Sequence, residues 1–232
     1  MSKADNQLHC IDCTNKAECF NHLTKAELAE VTNSKVIIRY NKGEIIRKQG
    51  TFVSSILYIK KGFVKVYKEF EHAENVSIVD FRKPSQLIGL PDLFNANLVQ
   101  YTVSALTDCE VCSIDIHLFE KLLNTNANFA VAVIKSINSQ TSNTIDFHIQ
   151  NNYKQLHGRI AHAILNLAKY VFESDKFEVP FTRRDFAEFT NMSSMSVVRI
   201  LKVFKSDQLI ELKEGLITIL DKEKLERISR VG

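Results

Sequence analysis

Residues 181–212, FTRRDFAEFTNMSSMSVVRILKVFKSDQLIEL, decide the fold. Thr182 can cap a short helix, Arg183–Phe189, with Asp185 at its third position as an imperfect capping box. Thr190-Asn191-Met192 forms a turn, and Asn191 suits it because Asn tolerates the left-handed conformation. Ser193 then caps a second helix that runs to about Ser206. Two short helices joined by such a turn are a helix-turn-helix. On the second helix Val197, Ile200, Leu201 and Phe204 fall at core spacing. Ser194, Met195, Val198, Arg199, Lys202 and Lys205 face away or flank that side. The start of such a helix enters the major groove of DNA. Arg199 can grip a guanine edge or a phosphate, and Lys202 and Lys205 suit phosphates. Thr182, Ser193 and Ser196 complete the candidate DNA-binding set. The bland alternative is a helical hairpin with a solvated basic face. Against it stand Leu209–Leu212 and Leu216–Leu220, which flank Lys213-Glu214-Gly215 as a hairpin and make a winged domain.

Charge supports this output end weakly. Residues 153–232 hold 14 Lys/Arg against 11 Asp/Glu, leaving 16 of each in residues 1–152, so the whole excess of +3 lies in the last third. Upstream, residues 126–152 contain no Gly or Pro. Ala130, Ile134, Ile137, Thr141, Thr144 and His148 recur there in steps of about three and four, as in a coiled-coil seam. An amphipathic helix packed on its own domain has the same pattern. A further helix is expected from Lys154 to Glu173, and Pro180 marks a boundary.

From Lys35 to Ile116 the character is β. Short runs such as Val36–Ile38, Ile56–Ile59, Phe63–Tyr67 and Val76–Val79 are punctuated by Gly43, Gly50, Gly62, Pro84 and Gly89, the pattern of a β-sandwich or barrel. The sequence predicts an α+β chain: a cysteine-bearing segment 1–23, a β domain 24–125, a long helix 126–152 and a winged helix-turn-helix 153–232. The N-terminus has no apolar leader, and the longest strictly apolar run is Phe129–Ile134, so a soluble cytoplasmic protein without a membrane segment is expected.

At this point the chain resembles the cyclic-AMP receptor protein/FNR family of bacterial regulators. The resemblance rests on NKGEIIRKQG, ILYIKKGFVKVYKE and the segment quoted first. It implies an N-terminal jelly-roll sensor domain, a dimerisation helix and a C-terminal winged helix. It also implies a homodimer on a near-palindromic DNA site that contacts RNA polymerase. Two positions depart from the pattern. The cyclic-nucleotide branch binds phosphate with an Arg-Ser pair beside a Gly-Glu turn, whereas the comparable QLIGLPDLFNANLVQYTVSA has no Arg or Lys, so cyclic AMP is not expected. Where familiar members carry a Glu that accepts from cytosine, this chain has Met195, which can touch a thymine methyl instead. Arg199 does match the family's DNA-contacting Arg.

Cys10, Cys13 and Cys19 precede the β domain, and Cys109 and Cys112 lie in the strand CEVCSID. In a cytosolic chain such cysteines are metal ligands or redox groups before they are disulfides. Spacing alone leaves an iron–sulfur cluster, zinc, or neither open; a thiol switch and plain core cysteines remain among the readings. The pattern is similar to that of the oxygen-sensing FNR branch. That resemblance implies a [4Fe-4S] cluster on Cys10, Cys13, Cys19 and Cys112, with Cys109 as the alternative fourth ligand. Their odd spacing puts Cys109 and Cys112 on opposite faces of a strand. Two rival functions are a jelly roll that senses a small molecule or haem with incidental cysteines, and a thiol oxidoreductase using Cys10 and Cys13. No strand-to-helix redox setting, Ser/His/Asp group, paired carboxylates or phosphate loop supports an enzyme.

Overall fold

The computed structural model describes residues 10–13, 15–70, 76–93 and 98–232. Residues 1–9 of the cysteine-bearing segment, and residues 94–97 of the stretch from Gln86 to Ala105, lie outside the described residues. The chain divides into two compact units, residues 1–66 with 82–141, and residues 67–81 with 142–232.

Among the described residues, eight strands build the N-terminal sandwich: β1 (Val36–Tyr40), β2 (Ile45–Arg47), β3 (Ser55–Lys61), β4 (Val64–Lys68), β5 (Ser77–Arg82), β6 (Leu87–Ile88), β7 (Thr102–Ala105) and β8 (Cys109–Asp115). They form two sheets of four, ordered β1-β8-β3-β6 and β2-β7-β4-β5, the jelly-roll arrangement. The period-2 alternation of β3 and β8 explains why the first sheet is buried on both faces. Ile56, Tyr58, Cys112 and Ile114 point to one core, and Leu57, Ile59, Cys109 and Val111 to the other. The first core is closed by a 3-10 helix (Glu18–His22), α1 (Lys25–Ser34), α2 (Ile116–Thr125) and the start of α3 (Ala127–Tyr153). Thr24 and Glu27 form a complete capping box on α1. Asp115 caps α2 by accepting from His117 N and Leu118 N. Asn126 Oδ1 accepts from Phe129 N at 3.0 Å and so starts α3.

The second unit holds α4 (Leu156–Asn166), β9 (Lys176–Glu178), α5 (Arg183–Thr190), α6 (Ser194–Ser206), β10 (Ile210–Lys213), β11 (Leu216–Ile219) and α7 (Lys222–Val231). The helix expected over 154–173 starts later and ends in a π turn, Leu167–Val171, where Phe172 N bonds Leu167 O instead of the carbonyl four residues back. β10, β11 and β9 form a three-stranded wing. Glu214 and Gly215, both at positive φ, make the two-residue hairpin loop whose twist matches its strands. The unit's interior is aromatic. Phe147 of α3 stacks on Phe189 of α5 at 4.2 Å and on His162 of α4 at 5.1 Å, while Phe81 of β5 stacks on Phe181 at 4.5 Å.

Candidate nucleic-acid interface and thiol cluster

The helix-turn-helix forms as local chemistry dictates. Thr182 Oγ1 accepts from Asp185 N, and the Asp185 carboxylate accepts from Thr182 N at 2.7 Å, so the capping box of α5 is complete. Asn191 ends α5 in the left-handed conformation, φ 52°. Ser193 caps α6 by accepting from Ser196 N at 3.2 Å. The carbonyls left over at the end of α5 are taken by side chains from neighbouring helices: Asn151 Nδ2 bonds Thr190 O at 2.9 Å, and Arg159 Nη1 bonds Asn191 O at 3.2 Å. Val197, Ile200 and Phe204 anchor α6 in the core, and Leu201 is half-buried.

The opposite side of α6 is open. Ser194, Met195, Arg199 and Lys202 are exposed, with Met195 at 85 %, and Ser196 and Val198 are half-buried. Arg199 and Lys202 have no carboxylate partner among the described residues, so their charges are available to an anion. Lys205 differs: its Nζ donates to Leu212 O at 3.3 Å, which ties it to the wing. Thr182 and Ser193 are exposed but already spend their hydroxyls on caps. The structure adds Arg183 to the surface. It stands on the first turn of α5, is exposed, and lines the same shallow concavity as Met195 and Arg199. Its only sequence signal was a basic residue beside a cap.

On α3, Ala130 and Ile137 are half-buried, and Ile134 and Thr141 are exposed. Thr144 Oγ1 donates to Asp80 Oδ2 at 3.2 Å, and His148 Nε2 donates to Val79 O at 2.8 Å. Those two residues are therefore engaged by β5 of their own chain. The exposed apolar residues are Val131, Ile134, Ile145, Ile149 and Tyr153, a stripe displaced by about one residue from the seam read in the sequence.

Of the five thiols, Cys19 and Cys112 are buried in the first core and Cys10 packs against it. Cys112 pairs across the sheet with Ile37 and Tyr58. Burial pushes the Cys112 thiol up to about 11, Lys35 opposes it, and Cys10 and Cys13 add to the rise. Burial likewise raises Tyr58, with all three thiols contributing. Lys35 Nζ lies 3.2 Å from Cys10 Sγ, and Cys10 N donates to Thr32 Oγ1. Cys19 sits on the 3-10 helix inside the first core, and burial pushes its thiol up to about 12. Cys109 lies in the other core, its Sγ 3.1 Å from Thr107 O, so the two strand cysteines do face opposite ways.

Comparison with known proteins places these features. Residues 37–126 match the model of the cyclic nucleotide-binding domain, and residues 158–228 that of the Crp-like helix-turn-helix domain. The chain belongs to the CRP/FNR family of transcription regulators. Among its relatives, Electron transport regulator A of Shewanella oneidensis is 25 % identical over 96 % of this chain and 90 % of its own. The Fumarate and nitrate reduction regulatory protein of Escherichia coli is 23 % identical over the same shares. The structure of FixK2 from Bradyrhizobium japonicum is 16 % identical, superposes with a TM-score of 0.77, and is matched over 85 % of this chain and 98 % of its own. The matched families and folds are those of transcription regulators, not enzymes. As a CRP/FNR regulator the chain binds DNA through its helix-turn-helix, and the family is dimeric. No helix among the described residues is long and apolar enough to cross a membrane.

An iron–sulfur cluster is the cofactor the FNR pattern implies. Four thiols suit it chemically. Cys19 and Cys112 are buried in the first core and Cys10 packs against it, and no three His, Cys, Asp or Glu side chains among the described residues form a metal-holding group.

Proposed function

We propose that this CRP/FNR regulator is a cytoplasmic homodimer that responds to oxygen or redox state, with Cys10, Cys13, Cys19 and Cys112 as the ligands of a [4Fe-4S] cluster. The observation that carries the reading is that Cys19 and Cys112 lie in the first core with Cys10 packed against it and the Lys35 ammonium against Cys10. The names of relatives point the same way, since two are called anaerobic regulatory proteins. Cys19 and Cys112 are both buried in that core, so a four-thiol site requires local rearrangement there. The Val131–Ile134–Ile145–Ile149–Tyr153 stripe supplies the dimer surface. In the pair, two copies of α6 read a near-palindromic operator, and the bound dimer contacts RNA polymerase.

Metal and sulfide analysis of protein purified without air tests this. Iron and sulfide in equal amounts, with broad visible absorbance that decays in air, supports the cluster. Tightly held zinc without sulfide replaces it with a zinc-thiolate centre. Neither metal, with regulation unchanged when Cys10, Cys13 and Cys19 are replaced by Ser, moves the signal to a small molecule or haem in the jelly roll.

A further inference from the structure

The first half of α3 shows two faces. Phe129 and Val133 are buried in the first core, and Ile137 packs against it. The face beside them is mostly polar. Asn128, Ala132, Lys135, Ser136, Ser139 and Gln140 recur in steps of three and four and form one wall of a cavity of about 540 Å³. The other walls come from the 3-10 helix, which begins with Glu18, and from the turn between β5 and β6, where Ser85 stands at φ 71° before Gln86. All the lining residues belong to the first unit. The volume falls within the range of about 300–1,000 Å³ that small-molecule sites occupy.

What the cavity can take follows from its two charges. Lys135 and Glu18 are both exposed and come from different elements. Neither forms an ion pair among the described residues, with the other or with a third group. Hydroxyl and amide donors stand beside the cation. Ser136 Oγ accepts from Gln140 Nε2 at 3.2 Å, which leaves its own proton to donate, and Ser139 follows one turn after Lys135. Gln86 Oε1 accepts from Lys83 N at 3.0 Å, which leaves its amide nitrogen as a donor. A lone anion would satisfy Lys135 and be repelled by Glu18, and a lone cation would meet the reverse. An apolar molecule would strip water from both charges and return nothing. A small molecule with one carboxylate and one ammonium answers both. We propose that this cavity binds a free amino acid, with its carboxylate on Lys135, Ser136 and Ser139 and its ammonium on Glu18. The apolar wall of Leu87 and Val131 is left for its side chain. The inference goes beyond the oxygen or redox reading and needs no metal. Cys19 lies on the same wall but is 3 % exposed, so its thiol takes no part.

Thermal unfolding of the full chain, purified without air, tests it. Each of the twenty standard amino acids is added at about 2 mM, where a ligand held at about 0.1 mM raises Tm by a few degrees. At least one should do so. The amine that lacks its carboxylate and the acid that lacks its amino group should both lose the shift. Glu18→Gln and Lys135→Gln should each weaken binding by about tenfold, read as the concentration that gives half the shift. The Tm of the unliganded variants should stay near that of wild type, because both side chains are exposed. Lys121→Gln, an exposed cation that does not line the cavity, should leave binding unchanged. No shift with any of the twenty, a full shift with an analogue lacking either charge, or equal binding by wild type and the two cavity variants each overturns the proposal.

Discussion

Replacing Met195 by Glu should change which base this regulator prefers. Met195 is 85 % exposed on the first turn of α6, so the substitution costs the fold within about 0.5 kcal/mol. In the major groove its side chain can cover a thymine methyl. Removing on the order of 50 Å² of apolar surface from water at about 25 cal/mol per Å² gives about 1.2 kcal/mol, roughly eightfold in affinity. A Glu there accepts instead from the cytosine amine, a contact that discriminates by about 1–3 kcal/mol. The swing between T and C is therefore about 2–4 kcal/mol, or roughly 30- to 1000-fold. The assay is selection from an operator library randomised across one half-site, followed by titration of the winning sequences at one fixed salt concentration. Wild type should enrich thymine at one position where the variant enriches cytosine. Total affinity should fall slightly for every sequence, because a carboxylate has been placed near phosphates. If both proteins enrich the same base at every position, Met195 does not read the operator and this account of α6 is wrong.

Arg199→Ala should weaken operator binding by about 10- to 100-fold and relax a guanine preference, whereas Lys202→Ala should weaken all sequences alike and reduce the salt dependence by about one phosphate; titrations at several salt concentrations separate the two. Ile149→Asp, on the exposed stripe of α3, should shift sedimentation from dimer to monomer while the circular dichroism of the fold is kept, since it sets like charges against each other across a two-fold interface. His162 is stacked on Phe147, and burial, with a smaller push from Lys154, lowers its pKa from 6.5 to about 4. The unfolded chain then binds the extra proton first. The contribution is fully present above pH 6.5 and is lost as pH falls toward 4, by about 2 kcal/mol after allowance for its partial exposure. Urea melts between those pH values should show this slope, and His162→Phe should flatten it.

How much of this was legible in the sequence depended on how local the physics was. The caps at Thr182 and Ser193, the turn at Asn191 and the hairpin at Glu214-Gly215 are set by residues within about four positions of one another, and all appear where the sequence puts them. Asp185 even completes a capping box that its shorter side chain made doubtful. Which side of α3 stays open was less local. Periodicity could not tell which side of α3 the chain itself would cover, because the deciding partners, Asp80 and Val79, lie more than 60 residues away. Once β5 takes Thr144 and His148, the free side shifts to Ile145 and Ile149.

The cysteines show what spacing leaves undecided. A C-x2-C-x5-C run limits how far apart its sulfurs can be, but it does not say which of them the core will claim. Here the competition is settled by the residue next to Cys19. Phe20 is buried, stacks on Phe129 at 5.9 Å and meets Tyr58 edge-on at 6.1 Å. Burying a Phe side chain is worth about 1.5–3 kcal/mol, and the aromatic contacts add about 0.5–1.5 kcal/mol each. A neutral thiol gains much less from any single position. The 3-10 helix is therefore placed by Phe20, and Cys19 goes where that helix carries it, into the same core. Cys10 and Cys13 have no such neighbour and stay half-buried. Removing the competitor makes this testable. Phe20→Ser should raise the alkylation rate of Cys19 in the unliganded protein far more than that of Cys10. Equal rates in wild type and variant would show that something other than Phe20 holds Cys19 in place.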